Sequence, residues 1–314
     1  MDNIMNLIMA IFSATSQGLT WAVLALGIFI SFRILNFADM TCEGSFALGG
    51  SITAVLVVRG WDPFASLVIA VIAGMAAGGI TGLLHTKLKI PAILSGILTM
   101  IGLYSINLVI MGKANTTLLN KRTIISTVKK LLPKAAELGM KDSTLQTWVI
   151  LLAGLILTTA VIALLYWFFG TELGCCIRAT GNNDAMVRAQ GVNTDRITIL
   201  GLVISNGLIA LSGALVTQSQ GYADVSMGVG AIVIGLASII IGEVIFMKAK
   251  SFAKKLLSIM IGSVIYRVII AVVLWLGLDT DYMKLLTAIV VAAALSIPVL
   301  IKNKRISPVK GGRA

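Results

Sequence analysis

A handful of polar side chains sit inside long apolar runs, where charge or an amide has to be matched by something. Asp39 and Glu43 lie in NFADMTCEGS, Tyr104 and Asn107 in GLYSINLVIM, Asn206 in LVISNGLIAL, and Arg267 in SVIYRVII. Groups of this kind are costly in lipid unless they face a cavity or a partner. They can therefore hold a polar solute on its way across a membrane, or tie one helix to another. Asp39 and Glu43 are four residues apart at the start of an apolar run, a spacing that puts them on one face of a helix. There they cap the helix or pair with Arg33, or they contact a solute. Arg267 has the same two readings: a structural pair with Glu243 or Glu43, or a place on the path. Tyr104, Asn107, Asn206, Gln218 and Gln220 either bond a zwitterion or bridge helices.

A second kind of chemistry is mechanical. Gly170 to Arg196 reads GTELGCCIRATGNNDAMVRAQGVNTDR and is polar between two apolar stretches. Asn182, Asn183 or Asp184 serves as N-cap of one short helix through Ala185, Met186, Val187, Arg188 and Ala189, with Gly191 as its stop. Such a helix either lies along the membrane against a soluble partner or is a plain connection. Covalent chemistry has little to work with. The chain has one His, His85, and no Walker A sequence, HExxH or nucleophile elbow. Cys175 and Cys176 are adjacent, which suits neither a zinc site nor an unstrained disulfide, so they and Cys42 read as free thiols. No cofactor or metal is expected in this chain.

The elements that must position these residues are membrane helices. Of 314 residues 58% are hydrophobic and 12% charged, with a mean hydropathy of +0.99. A soluble domain carries roughly 25% charged residues. The apolar runs are continuous, not alternating, which excludes a barrel and predicts an all-α polytopic membrane protein. About nine runs (8–10) reach spanning length: Ile4 to Phe32, Gly44 to Val58, Phe64 to His85, Pro91 to Met111, Thr147 to Phe169, Ile197 to Ser219, Val229 to Met247, Leu256 to Leu276 and Leu285 to Ile301. The first is too long for one untilted span. The second is short and begins in polar residues, so a broken or re-entrant element is expected there. MDNIMNLIMAIF has no basic n-region and reads as a retained first helix.

Basic residues in short connections set the orientation. If the runs alternate, Lys87, Lys89, Arg178, Arg188, Arg196, Lys248, Lys250, Lys254, Lys255 and the basic tail 302–314 fall together on the cytoplasmic side. The loop 112–146 then lies outside, although it is itself basic, and its STVKKLLPKAAELGM reads as an amphipathic helix interrupted at Pro133. That helix lies in the interface or docks an acidic partner. The formal charge of +12 sits beside spans without aromatic interleaving, which points to anionic membrane lipid and away from nucleic acid. Gly74, Gly78 and Gly82 give a face for close helix packing, and Gly228, Gly230, Gly235 and Gly242 do the same or let the seventh run break.

The stretch ELGCCIRATGNNDAMVRAQGVNTDR followed by LVISNGLIALSGAL resembles the permease subunits of ATP-binding-cassette importers for branched-chain amino acids and ribose-type sugars. ILNFADMTCEGSFALGG and VGAIVIGLASIIIGE agree in order and spacing. DMTCEGSFALGG departs from the NFAHGE type of the branched-chain permeases and is similar to a branch whose operons carry a tryptophan- or tyrosine-binding protein. The resemblance implies one transmembrane permease domain over 1–314, related in architecture to the vitamin B12-type importers, in a bacterial cell membrane with the C-terminus cytoplasmic. It implies a second permease copy, preferably a homodimer, a cytoplasmic ATPase that carries ATP and Mg, and an extracytoplasmic binding protein. Loop 170–196 would hold the coupling helix, with Asn183, Asp184, Ala185, Met186, Arg188 and Gly191 facing the ATPase. The solute would be an amino acid, aromatic by preference, and the alternatives are a sugar, a nucleoside or a branched-chain amino acid. A stand-alone carrier would show an inverted repeat, and none is visible.

The orientation makes a prediction. In a cysteine-free background with single cysteines at Lys121, Lys130, Lys250 and Lys310, a membrane-impermeant thiol reagent added to intact cells should label the first two positions only. Labelling at 250 or 310 but not at 121 would invert the topology.

Overall fold

In a computed structural model, residues 2–131, 142–246 and 251–277 are described, with isolated positions between 282 and 296. The chain is almost entirely helical: α1 (Asp2–Ile28), ending in a π-helical turn (Phe29–Ile34), α2 (Thr41–Val58), α3 (Pro63–Thr86), α4 (Ala92–Met111), α5 (Ile124–Leu131), α6 (Asp142–Phe169), α7 (Glu172–Asn182), α8 (Asp184–Ala189), α9 (Thr194–Gln220), α10 (Ala231–Ile245) and α11 (Phe252–Trp275). Strands β1 (Asn115–Thr117) and β2 (Tyr222–Asp224) pair antiparallel. Among the described residues seven helices are long and apolar enough to cross a membrane, and α10 is a shorter apolar helix. The ninth run, Leu285 to Ile301, and the tail 302–314 lie largely or wholly outside the described residues, as do Lys248, Lys250 and residues 132–141 with Pro133.

Long-range bonds show which ends of the helices lie together. Thr20 O accepts from Ser212 Oγ and Gly27 O from Ser205 Oγ, so α1 runs antiparallel to α9. The β1–β2 pair and the bond from Ile124 N to Gln218 Oε1 gather the α4–α5 connection beside the end of α9. The opposite end collects the π turn, α7, α8 and the starts of α9 and α11, and with them Arg33, Lys87, Lys89, Arg178, Arg188, Arg196, Lys254 and Lys255.

Helix α9 is the axis of the packing. Cβ atoms added at Gly74 and Gly78 of α3 would overlap the carbonyl oxygens of Asn206 and Leu202, and one at Gly82 would meet Ile199. On the other flank Gly49 of α2 abuts the Ala210 carbonyl, and Gly213 of α9 abuts that of Phe46. Two backbones approach this closely only where one of them carries no side chain at the crossing. Gly242 of α10 and Gly262 of α11 repeat the device between those helices.

One expectation about broken elements is corrected. The second run is a continuous helix from Thr41, and the irregular segment lies before it, at residues 35–40, after the π turn has used up the surplus length of the first run. Within that segment Leu35 N bonds Ile30 O at 2.9 Å, Phe37 N bonds Ser31 O at 2.8 Å, and Asn36 takes φ 53. The seventh run, whose glycines also allowed a break, stays whole: α10 covers Ala231–Ile245 of it, and Gly235 and Gly242 lie against Ile28 and the Ser258 carbonyl. Residues 225–230 turn back alongside α2, Gly228 abuts the Glu43 carbonyl, and α10 begins only after Gly230 at φ 86, a conformation open chiefly to glycine. Helix α10 is thus short, with 15 residues, and its first residue, Ala231, is buried.

Because the α3–α9 crossing has no spare volume, Gly78→Val should destabilise the protein by roughly 1–3 kcal/mol or more through overpacking. Gly102→Ala, where nothing lies within 4 Å, should be neutral or stabilising by about 0.5–1 kcal/mol. Thermal unfolding in detergent distinguishes the two.

Candidate functional site

The polar residues of the apolar runs do not converge on one point; they divide among three places. At the first, Asp39 precedes α2 and is fully buried. Its Oδ1 accepts from Thr41 N at 2.9 Å, and its Oδ2 from Asn206 Nδ2 at 2.7 Å. Asn206 also donates to Leu202 O at 3.1 Å and accepts from Ser45 Oγ at 2.7 Å. Thr41 Oγ1 and Thr81 Oγ1 are 2.6 Å apart, and Thr81 donates to Thr99 at 2.9 Å. This network joins α2, α3, α4 and α9 and uses both ends of the Asn206 amide. The expected shared helical face of Asp39 and Glu43 is absent, because Asp39 lies outside α2. Neither pairs with Arg33, whose guanidinium bonds Glu243.

The second place brings together Glu43, Tyr104 and Asn107. They line a groove of about 400 Å³ between α2, α4 and the turn before α10, with Met100, Ile101 and Val229 as apolar wall. Glu43 Oε1 accepts from Gly230 N at 2.9 Å, a carboxylate at the positive end of α10. Asn107 is fully buried; its Nδ2 reaches Gly44 O at 3.4 Å and its Oδ1 has no partner. Tyr104 is exposed.

Arg267 occupies the third. It pairs with neither Glu243 nor Glu43; its guanidinium carbon lies 4.0 Å from the centre of the Trp21 ring, and its Nε has no hydrogen-bond partner. The ring quadrupole replaces a counter-ion. Trp21 was not legible as a partner from spacing, since it lies 246 positions away on α1 (267 − 21). Gln218 bridges helices, its Nε2 donating to Pro63 O at 3.1 Å and Ser66 Oγ at 3.3 Å.

At the basic end, the polar loop holds two helices where the sequence predicts one. Thr171 caps α7 by accepting from Gly174 N at 3.3 Å, and Asn183 caps α8 by accepting from Met186 N at 3.0 Å. Gly191 ends the excursion at φ 84. Asp184, Ala185, Met186 and Ala189 are exposed, and Val187 is buried beneath them. Arg188, itself exposed, donates to Asp184 Oδ2 at 3.1 Å and Thr194 Oγ1 at 2.8 Å, with Asp195 at 3.7 Å, and so ties α8 to the start of α9. Helix α7 rests on the π turn through Gly181, which abuts the Ile34 carbonyl. An open cavity of about 990 Å³ lies here, lined by Arg33, Arg178, Met186, Glu243 and Lys255. Cys42, Cys175 and Cys176 are free thiols, and His85 bonds Ile90 O through Nδ1 at 2.8 Å.

The family described as branched-chain amino acid transport system/permease component matches residues 10–295, and the chain belongs to it. It is 40% identical over 286 residues to the tyrosine transport system permease protein of Clostridioides difficile, covering 91% of this chain and 90% of that one. The ribose import permease protein of Haemophilus influenzae is 24% identical over 221 residues, 69% of this chain and 61% of its own length. A solved ABC transporter of metal-chelate type, facing inward, superposes with a TM-score of 0.47 at 15% identity, covering 93% of this chain and 84% of that one. By its family the chain is the permease component of a transport system, a transport subunit and not an enzyme.

Asn206→Leu would strip Asp39 and Ser45 of their partner and should lower stability by about 2–4 kcal/mol, since a buried charged acceptor is left unmatched. Tyr104→Phe, at an exposed hydroxyl, should stay within about 0.5 kcal/mol of the parent. Thermal unfolding of the purified protein reads both.

Proposed function

We propose that two copies of this chain form the translocation pathway of an importer for an aromatic amino acid, with the basic end in the cytoplasm. The substrate class is supported by the tyrosine transport permease at 40% identity along nearly the full length of both chains. The orientation is supported by the basic residues gathered at the α7–α8 end, and it puts the C-terminal tail 302–314 in the cytoplasm and loop 112–146 outside. A binding protein delivers the amino acid to the outer face. A separate cytoplasmic ATPase holds ATP and Mg, so no nucleotide or metal chemistry falls to this chain.

The observation that carries the coupling role is the α7–α8 hairpin. Ala185, Met186 and Ala189 form a small exposed face that admits close seating in a partner groove, while Asn183 and Arg188 hold the helix in place. Asp184 pairs with Arg188 on the same helix, and Gly191 turns the chain back into α9. ATP closes the ATPase pair, the hairpins move with it, and the pathway changes its open side; the bias is the difference in ATP affinity between the two states.

Ala185→Trp should block seating by bulk, and Arg188→Glu should release α8 by repulsion from Asp184 and Asp195. Both should lose ATPase copurification and lower uptake in proteoliposomes by tenfold or more, with the folded yield unchanged. Full association and full uptake in both variants would move the coupling site to residues 248–255.

A further inference from the structure

The groove of Glu43, Tyr104 and Asn107 has a composition that lipid would not tolerate. It opens on the flank of the bundle, yet its floor carries a carboxylate and a fully buried amide with one polar atom unmatched. No cation pairs with Glu43 among the described residues: Arg33 bonds Glu243 and Arg267 lies on Trp21. The Gly230 N–H occupies one carboxylate oxygen and leaves the other. The unmatched atoms are therefore acceptors, the second Glu43 oxygen and Asn107 Oδ1. Beside them the wall is apolar, with Met100, Ile101 and Val229, and it carries one aromatic hydroxyl. A volume of about 400 Å³ falls in the range that holds a small organic solute.

We propose that this groove is a substrate station on the translocation pathway, where Glu43 and Asn107 take the α-ammonium group of an amino acid and the apolar wall takes its side chain. The inference rests on the amino-acid reading given above and adds the place and the polarity of recognition. A protonated amine brings three donors to a surface that lacks them. Gly228 and Gly230 make the station possible: the first lets the turn lie against the Glu43 carbonyl, and the second starts α10 beside the carboxylate. On this proposal the flank that holds the groove faces the second copy or water, since a carboxylate among lipid tails requires protein or water opposite it.

The test uses the full importer, permease, ATPase and binding protein, in proteoliposomes with radiolabelled L-tyrosine. Glu43→Gln keeps an acceptor for Gly230 N and removes the charge, so assembly and binding-protein-stimulated ATP hydrolysis should persist while tyrosine uptake falls tenfold or more. Glu43→Asp should recover part of it. A position-104 cysteine in a background lacking Cys42, Cys175 and Cys176 gives a second readout, independent of uptake. A charged methanethiosulfonate reagent should label it, saturating tyrosine should slow that labelling, and the slowing should vanish when Glu43→Gln is added. A cysteine at Val109, exposed on another face of α4, should stay unlabelled. Wild-type uptake by Glu43→Gln, or no labelling at position 104, would overturn the station. If the Tyr104→Cys variant labels yet the parent importer takes up no aromatic amino acid, the substrate reading fails while the pathway through the groove stands.

Discussion

The fold depends on the direct apposition of backbones along α9. Helices surrounded by lipid gain nothing from leaving water, because the tails are as apolar as leucine; association rests on dispersion at short range and on interhelical hydrogen bonds. Dispersion falls off within an ångström of the optimum. Gly49, Gly74, Gly78 and Gly213 supply that short range by removing the atoms that would hold α2 and α3 away from α9. The buried network of Asp39, Ser45 and Asn206 follows, since its bonds span just the gap those glycines close.

Around this axis the two ends of the chain are in continuous contact. Arg188 fastens α8 to α9, Gly181 seats α7 on the π turn, the π turn holds α10 through Arg33 and Glu243, and α10 begins at the carboxylate of Glu43. Every joint in this series is a hydrogen bond, an ion pair or a backbone contact at a glycine. Side-chain rotamers can absorb little displacement along it. Contact alone is not coupling, which needs an element with two arrangements; α10, short and preceded by a turn of six residues, is the one most free to have them.

Apolar runs and their ends were legible because spanning helices leave a continuous signal about twenty residues long. The close-packing role of Gly74, Gly78 and Gly82 was legible from their spacing, and so were the Asn183 cap and the Gly191 stop, which depend on neighbours within a turn. What the sequence hid was distant pairing. Arg267 could be seen to need a partner, but nothing marks Trp21 as that partner before α1 and α11 are packed. The same holds for Arg33 with Glu243, a pair 210 residues apart. Helix α7 was missed because its apolar side faces the π turn over so short a length that the polar composition of the loop dominates. A break was expected within the second run from its polar start, whereas the irregular segments, residues 35–40 and 225–230, lie just before α2 and α10.

The π turn sets the phase of the first helix. It carries one residue more than an α turn, so the faces before and after it are offset by roughly 100°, the angle of a single residue. Upstream of it, α1 presents Trp21 to Arg267 and Gly27 to α9; at its last turn Arg33 meets Glu243, and just beyond it Leu35 meets Gly201. A regular helix through the same sequence could satisfy one set or the other. Length is therefore constrained here in a way that it is not in the loops: deletion of one apolar residue between 29 and 34 would scarcely alter hydropathy, yet would turn the contacts that follow out of step with those of α1.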